Sequence, residues 1–327
     1  MELREVGLDD TASVETFVEI ANSVTAADAP WEHPDTPYRR AMQIRHGWDG
    51  EPGRHFLALD GVAPVGVVVV HTSNYDNLDL AWLDLRIHPA HRRHGLGTAA
   101  LEAAYDVCRE MKRDLLGLDG WESDQTRAFA KATGFEQKSQ SINRRQHLAE
   151  VPADGIAQLY AAADEVADDY ELLRFDGRTP DDLMDDLARV AGAINDAPLD
   201  DLELEDEVYS PDRMRAYETA QIESGFRFRR VVARHRGTGE LAGHTVVTVD
   251  TERPGIGDQH DTAVAREHRG HRLGVLVKAD MVRWLAEEPQ LATIDTWNAE
   301  SNDHMIGVNE LLGYRIMGRA LEFQRRI

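Results

Sequence analysis

The sequence predicts an α/β fold of the α+β kind, a mixed sheet with flanking helices, laid out twice along the chain. Three observations carry that expectation. The run HFLALDGVAPVGVVVVHTS, residues 55–73, reads as two β-branched strands around a Gly/Pro turn, and a third strand, a basic loop and a helix follow it. The run FRFRRVVARHRGTGELAGHTVVTVD, residues 226–250, starts the same series again. A chain of 327 residues also has room for two domains of about 150 residues each.

Each element has a local reason. After a short strand-like start, Asp9 or Asp10 caps a helix whose apolar residues Val14, Phe17, Val18 and Ile20 share a face, and a second helix is expected from Tyr38 to His46. LDLAWLDLRIHP is a third strand, stopped by Pro89. GTAALEAAYDVCREMK is a helix, DLLGLDGW a strand, and DQTRAFAKATGF a short helix closed by Gly134. The stretch up to about His147 supplies one or two more strands. LAEVPADG, with Pro152 and Gly155, reads as a linker and sets domains at 1–149 and 150–327. The next 70 residues or so are expected to be mostly helical, their many carboxylates forming solvated faces. From Phe226 the series repeats as a hairpin turning at Thr238-Gly239-Glu240, then strand, basic loop and helix, then ATIDTW and NDHMIGVNELLGY.

Composition narrows function. Lys and Arg number 36 against 59 Asp and Glu, a formal charge of −23. Such a surface repels nucleic acid and anionic membranes at long range, and suits a neutral or cationic small-molecule partner. The single cysteine, Cys108, excludes an intrachain disulfide and a cysteine-rich zinc site; it sits in a helical pattern as packing. The first twenty residues lack a signal-peptide apolar run and no stretch is long and apolar enough to span a bilayer, so a cytoplasmic location is expected.

The loop HPAHRRHGLGTAALEAA, residues 88–104, is the strongest chemical signal. Consecutive backbone N–H groups at a helix N-terminus offer donors and a positive dipole end to a pyrophosphate, and Arg92 and Arg93 add charge. Gly95-Leu96-Gly97-Thr98-Ala99-Ala100 also satisfies a dinucleotide fingerprint, with Asp119 downstream for a ribose. In that fold the first glycine ends the strand directly, whereas HPAHRR intervenes here. Dinucleotide binding therefore stands as the remote alternative.

IHPAHRRHGLGTAAL resembles the acetyl-CoA-binding motif of the GNAT acetyltransferases, Q/R-x-x-G-x-G/A, through Arg92-Arg93-His94-Gly95-Leu96-Gly97. The second copy matches through Arg269-Gly270-His271-Arg272-Leu273-Gly274, with Arg272 where the motif has its first glycine. RAFAKATGF and NDHMIGVNELLGY resemble the family's short helix ending in a Gly-aromatic pair. The two-copy arrangement is similar to that of mycothiol synthase, a likeness of architecture that carries no substrate with it. The resemblance implies two tandem GNAT folds using acetyl-CoA. It places Leu85, Arg86 and Ile87 of the first copy, and Val264 of the second, on the strand that carries pantetheine. Thr98, Asn298 and Asn302 fall near the cofactor.

The resemblance also implies where catalytic groups belong. Acyl transfer to an amine needs a group to take the ammonium proton, since an alkylamine pKa lies near 10.4. The family's carboxylate base sits on the cofactor strand, six residues before the apolar residue that precedes the motif arginine by five. That count reaches Asp258 in the second copy and Ala81 in the first. His260 and Asp261 are close enough to substitute or relay. The family's tyrosine acid lies five residues before the aromatic of the Gly-aromatic pair, which here gives Asn309 and Ala130. Asn309 can hydrogen-bond sulfur but cannot protonate it.

The sequence thus predicts an acyl-CoA-dependent N-acyltransferase, acetylating a small-molecule primary amine by direct attack through a tetrahedral intermediate. The C-terminal copy is expected to be catalytic, and the N-terminal copy to bind acyl-CoA unproductively or to serve as scaffold. The alternative is a non-catalytic acyl-CoA-binding sensor. His88, His91 and His94 recur every third residue without a neighbouring carboxylate, so no metal is expected. Trp31, Trp48, Trp82 and Trp121 line an acceptor cleft or pack the first copy. The chain is expected to be a monomer or a homodimer.

Overall fold

The computed structural model describes residues 1–327, which divide into two compact units. The first holds residues 1–141 together with 199–205 and 318–327; the second holds 142–198 and 206–317. This division stands beside the single boundary after residue 149 read from the sequence.

The first unit opens with β1 (Glu2–Glu5), α1 (Thr11–Asp28) and α2 (Pro37–His46). Asp10 caps α1 by accepting from the Ser13 N–H, and Thr36 caps α2 with Pro37 at its first position. There follow β2 (Arg54–Asp60), β3 (Ala63–His71), β4 (Leu80–Ile87), α3 (Leu96–Glu110), β5 (Leu115–Trp121), α4 (Asp124–Ala132) and the first half of β6 (Glu136–His147). The sheet order in this unit is β1-β2-β3-β4-β5 and then the chain's last strand, β12 (Arg315–Arg326), whose residues from Gly318 onward belong here. β12 runs antiparallel to β5, with Glu322 opposite Asp119. One sheet face packs on α1 through Phe17, Leu57 and Val67. The other packs on α3 and α4 through Ala81, Leu83, Leu101 and Cys108.

In the second unit the order is β7-β8-β9-β10-β11-β6. Its elements are α5 (Ala153–Asp164), β7 (Tyr170–Asp176), α6 (Met184–Ala191), α7 (Pro211–Glu223), β8 (Phe226–His235), β9 (Leu241–Asp250), β10 (Ile256–Val264), α8 (Leu273–Leu285), β11 (Thr293–Ala299) and α9 (Asp303–Leu311). Val247, Val249, Leu276 and Ile294 form the core on the α5/α8 face; Leu187, Met214 and Val232 form it on the α6/α7 face.

Two expectations are corrected. The stretch after the presumed linker is not all helical: YELLRFD is the edge strand β7, paired with β8 from Tyr170↔His235 to Asp176↔Arg229. An edge strand needs only one neighbour and tolerates charge, so its Glu and Arg hid its period of two. The linker itself is one 3-10 turn at Leu148–Glu150, and Gly155 lies inside α5. The stretch before it, expected to supply one or two strands, is a single 12-residue strand.

Candidate active site

Each unit contains a wedge made by two parallel strands that pair only at their beginnings. β4 pairs with β5 from Leu80↔Leu115 to Leu83↔Leu118. Beyond that rung β4 runs on to Ile87 and β5 to Trp121 without pairing. β4 stays fully paired with β3 on its other side, from His71↔Trp82 to Gly66↔Ile87. In the second unit β10 pairs with β11 only over Ile256↔Thr293, Gly257↔Ile294 and Asp258↔Asp295. An open edge at the carboxyl end of parallel strands is where such sheets receive ligands, and an extended amide-bearing arm can hydrogen-bond to it as an added strand. Leu85, Arg86 and Ile87 lie on the open stretch of β4, and Val264 ends that of β10.

A basic loop and a helix N-terminus follow each wedge. In the first, a 3-10 turn at Pro89–His91 leads to α3, with Arg93 at φ 67° and Gly95 at φ 79°. In the second the left-handed positions fall on Gly270 (φ 89°) and Arg272 (φ 57°). The two loops share one backbone path in which glycine and arginine have exchanged places. A Cβ on Gly95 would meet nothing within 4 Å, which is why the path admits Arg272 with its side chain turned outward, Nη1 3.3 Å from the Ala162 carbonyl.

The motif arginines are engaged by partners within the protein. Arg92 donates from Nε to the Ile87 carbonyl at 3.0 Å and from both Nη atoms to Asp28 at 2.7 Å. Arg269 repeats this, Nε to the Val264 carbonyl at 3.2 Å and Nη2 to Asp196 at 2.6 Å. Each therefore clamps the loop to the end of its strand. Arg93, His94, Gly95 and Thr98 of the first loop, and Gly270, His271 and Arg272 of the second, are exposed; Leu96 and Gly97 are half-buried, and Leu273 is buried. Gly97 lets α3 approach Phe129, whose ring would lie 3.2 Å from a Cβ there, and Gly274 sits against Val264.

The units differ at the apex of the wedge. In the second, His260 and Asp261 together stand against Val246 alone, because Gln259 pairs with Val247 and Thr262 with Thr245. This β-bulge turns main-chain groups out of the ladder beside the wedge. β4 has no such bulge. The extra residue shifts the count before it by one, so the structural counterpart of Asp258 is Trp82: Asp258 pairs with Thr248 as Trp82 pairs with His71. Ala81 instead faces the α3 core.

Around the bulge, Tyr217 of α7 bonds the His260 Nδ1, while the Thr248 hydroxyl lies 3.0 Å from Nε2. Burial, assisted by the Arg230 charge, pushes the imidazole down to about 3, so His260 is neutral and orients its neighbours. Asp258, two residues earlier on the strand and opposite Thr248, shares this face. Asp261 is exposed; desolvation, and then the nearby Glu207 carboxylate, raise it to about 6. Tyr217, Glu207 and Arg230 were hidden because they come from the acidic segment and the outer hairpin, where no spacing marks them.

Asn309 is wholly buried in α9, and its Nδ2 donates to Asn298 at 2.6 Å. Asn302 caps α9 by accepting from Met305. Cys108 is buried and its thiol is pushed up to about 11 by desolvation, which leaves it inert as a nucleophile at neutral pH.

Each unit thus presents an open-edged strand, a loop of exposed residues and a helix N-terminus. Residues 18–135 match the acetyltransferase (GNAT) family. Over 99% of this chain and 98% of the other, the fold superposes with a TM-score of 0.80 and 26% identity on a tandem GNAT protein from the clavulanic acid biosynthesis pathway. A GCN5-related N-acetyltransferase from Sphaerobacter thermophilus shares the fold at a TM-score of 0.69 and 13% identity, over 99% of this chain and 95% of that one. No curated protein sequence matches the chain. Residues 18–135 thus form a GNAT domain, and the fold of the whole chain is that of tandem GNAT proteins. No helix is long and apolar enough to cross a membrane.

Proposed function

We propose that the chain transfers the acetyl group of acetyl-CoA, consumed as a co-substrate, to a primary amine of a small molecule, and that the second unit carries this reaction. The observation behind the assignment is the bulge at His260 and Asp261, which stands where β10 leaves β11. The exposed amides of Gly270, His271 and Arg272 would hold the diphosphate, and Val264 and its neighbours the pantetheine arm.

Asp258, at the last paired rung, takes the acceptor's ammonium proton, and His260 fixes the geometry around it through Tyr217 and Thr248. Main-chain N–H groups freed by the bulge stabilise the oxyanion that forms when the amine attacks the acyl carbon. Asn309 acts at one remove by holding Asn298. The chain's acidity supports a cationic acceptor such as a polyamine.

An amine-library screen that follows free thiol tests the proposal. Acceptor-dependent release of coenzyme A that falls roughly 10²–10⁴-fold in Asp258→Asn supports it. Slow release indifferent to every amine would favour an acyl-CoA sensor instead.

A further inference from the structure

The wedge of the first unit has its own carboxylate, on the opposite wall. Trp82 of β4 donates its indole N–H to Asp119 of β5 at 2.8 Å. Asp119 lies two residues past Gly117, the rung partner of Trp82. In the second unit the rung partner of Asp258 is Asp295, and two residues past it stands Trp297. The two wedges therefore carry the same pair of residue types with the strands exchanged: tryptophan on the cofactor strand and aspartate across from it in one, the reverse in the other.

The surroundings of Asp119 suit proton transfer from a cation. Its side chain shares the α1-side face with Trp82 and is exposed to solvent; desolvation raises its pKa from the ordinary carboxylate value while the Trp82 hydrogen bond lowers it. On β4, Asp84 raises it and Arg86 lowers it; Arg86 is held in a two-pronged pair with Asp84. On β12, Glu322 stands directly opposite, its pKa also raised by burial and lowered by the Ser141 and Ser139 hydroxyls. Trp121, two residues on from Asp119, meets Trp31 edge to face at 5.1 Å. Carboxylates beside indole faces form a setting for an ammonium group.

We propose that the first unit is a second acyl-transfer centre, in which Asp119 takes the proton of a primary ammonium acceptor flanked by Trp82 and Trp121. This rests on the reading that each wedge accepts acyl-CoA. The R–NH3+ group gives one proton to the Asp119 carboxylate; the freed lone pair attacks the acyl carbon and the C–S bond breaks. The nitrogen's surplus proton passes to the departing thiolate, and Asp119 returns its own to water. One amide, one thiol and one released proton result.

Three measurements test it. In the free protein, the 15N-indole NMR signal of Trp82, assigned by its loss in Trp82→Phe, is expected to titrate with a midpoint above that of an ordinary Asp, and to stop titrating in Asp119→Asn. In turnover with acetyl-CoA and the best amine from the screen, Asp258→Asn is expected to keep a residual rate that Asp119→Asn then lowers roughly 10²–10⁴-fold. Adding Trp82→Phe to Asp258→Asn is expected to move the acid limb to higher pH, because the N–H that favours the charged carboxylate is gone. Calorimetry with acetyl-CoA separates the failures. Two sites per chain with no residual rate in Asp258→Asn, or an indole signal indifferent to Asp119, overturns the second centre and leaves the proposed function standing. No uptake at all takes both down.

Discussion

Asp258 and Asp295 are partners on the last paired rung of β10 and β11, and the Asp295 carboxylate is engaged at 2.6 Å by both arms of Arg145. Arg145 and Asp295 are 8% and 9% exposed. A buried pair gains little over an apolar replacement, but removing one partner strands the other. Arg145→Met is therefore expected to cost about 3–5 kcal/mol in chemical denaturation. It also leaves the Asp295 carboxylate, the rung partner of Asp258, without its counter-charge.

Lys278 is 2% exposed in the α8 core, with its ammonium 5.3 Å from the Tyr314 ring centroid. Desolvation pushes it down to about 7. The unfolded chain thus binds the proton more readily, and stability falls as pH drops from the ordinary value of 10.5 toward about 7, then levels. Leu101 fills the equivalent place on α3, four residues past the second loop glycine. Lys278→Leu should remove that slope and add roughly 3–5 kcal/mol at neutral pH, read from denaturation midpoints across pH.

The exchanged glycine and arginine of the two loops give opposite expectations. Arg272→Gly relieves a left-handed side chain and should stabilise by about 1 kcal/mol, while Gly270→Ala should cost about as much. Neither is expected to abolish acetyl-CoA uptake, since a Cβ at Gly270 meets nothing within 4 Å. Thermal melts with calorimetry on the same samples check both halves of the statement.

Gly117 lies under Trp82: a Cβ there would fall 2.1 Å from the indole Cε3. Gly117→Ala should displace Trp82, costing about 1–3 kcal/mol by overpacking, and should shift the Trp82 indole resonance. Gly120→Ala, whose Cβ would meet the movable Thr126 methyl at 2.9 Å, should leave that resonance in place.

Much of this was legible in the sequence because it depends on local chemistry. The Asp10 cap, the β2–β3 hairpin, Pro89 as a strand stop and Gly134 as a helix stop are all decided within a few residues. β7 was not legible, because a charged edge strand shows no clean period. Nor was β12, whose residues from Gly318 onward complete the sheet of the first unit, since strand pairing across the chain's length leaves no mark on spacing. The site shows the same limit. Counting along the strand reached Asp258, but the same count reached Ala81, since only one copy has the bulge and a one-residue bulge turns the neighbouring face over. Asp119 met the eye only as a ribose ligand for a dinucleotide.

The most direct test of the account is calorimetry of acetyl-CoA against the intact protein, with a nicotinamide dinucleotide as control. Uptake of acetyl-CoA, weakened when Arg93, His94 and the exposed residues of the second loop are replaced, is the predicted result. No acetyl-CoA uptake, with binding of the dinucleotide instead, would contradict it.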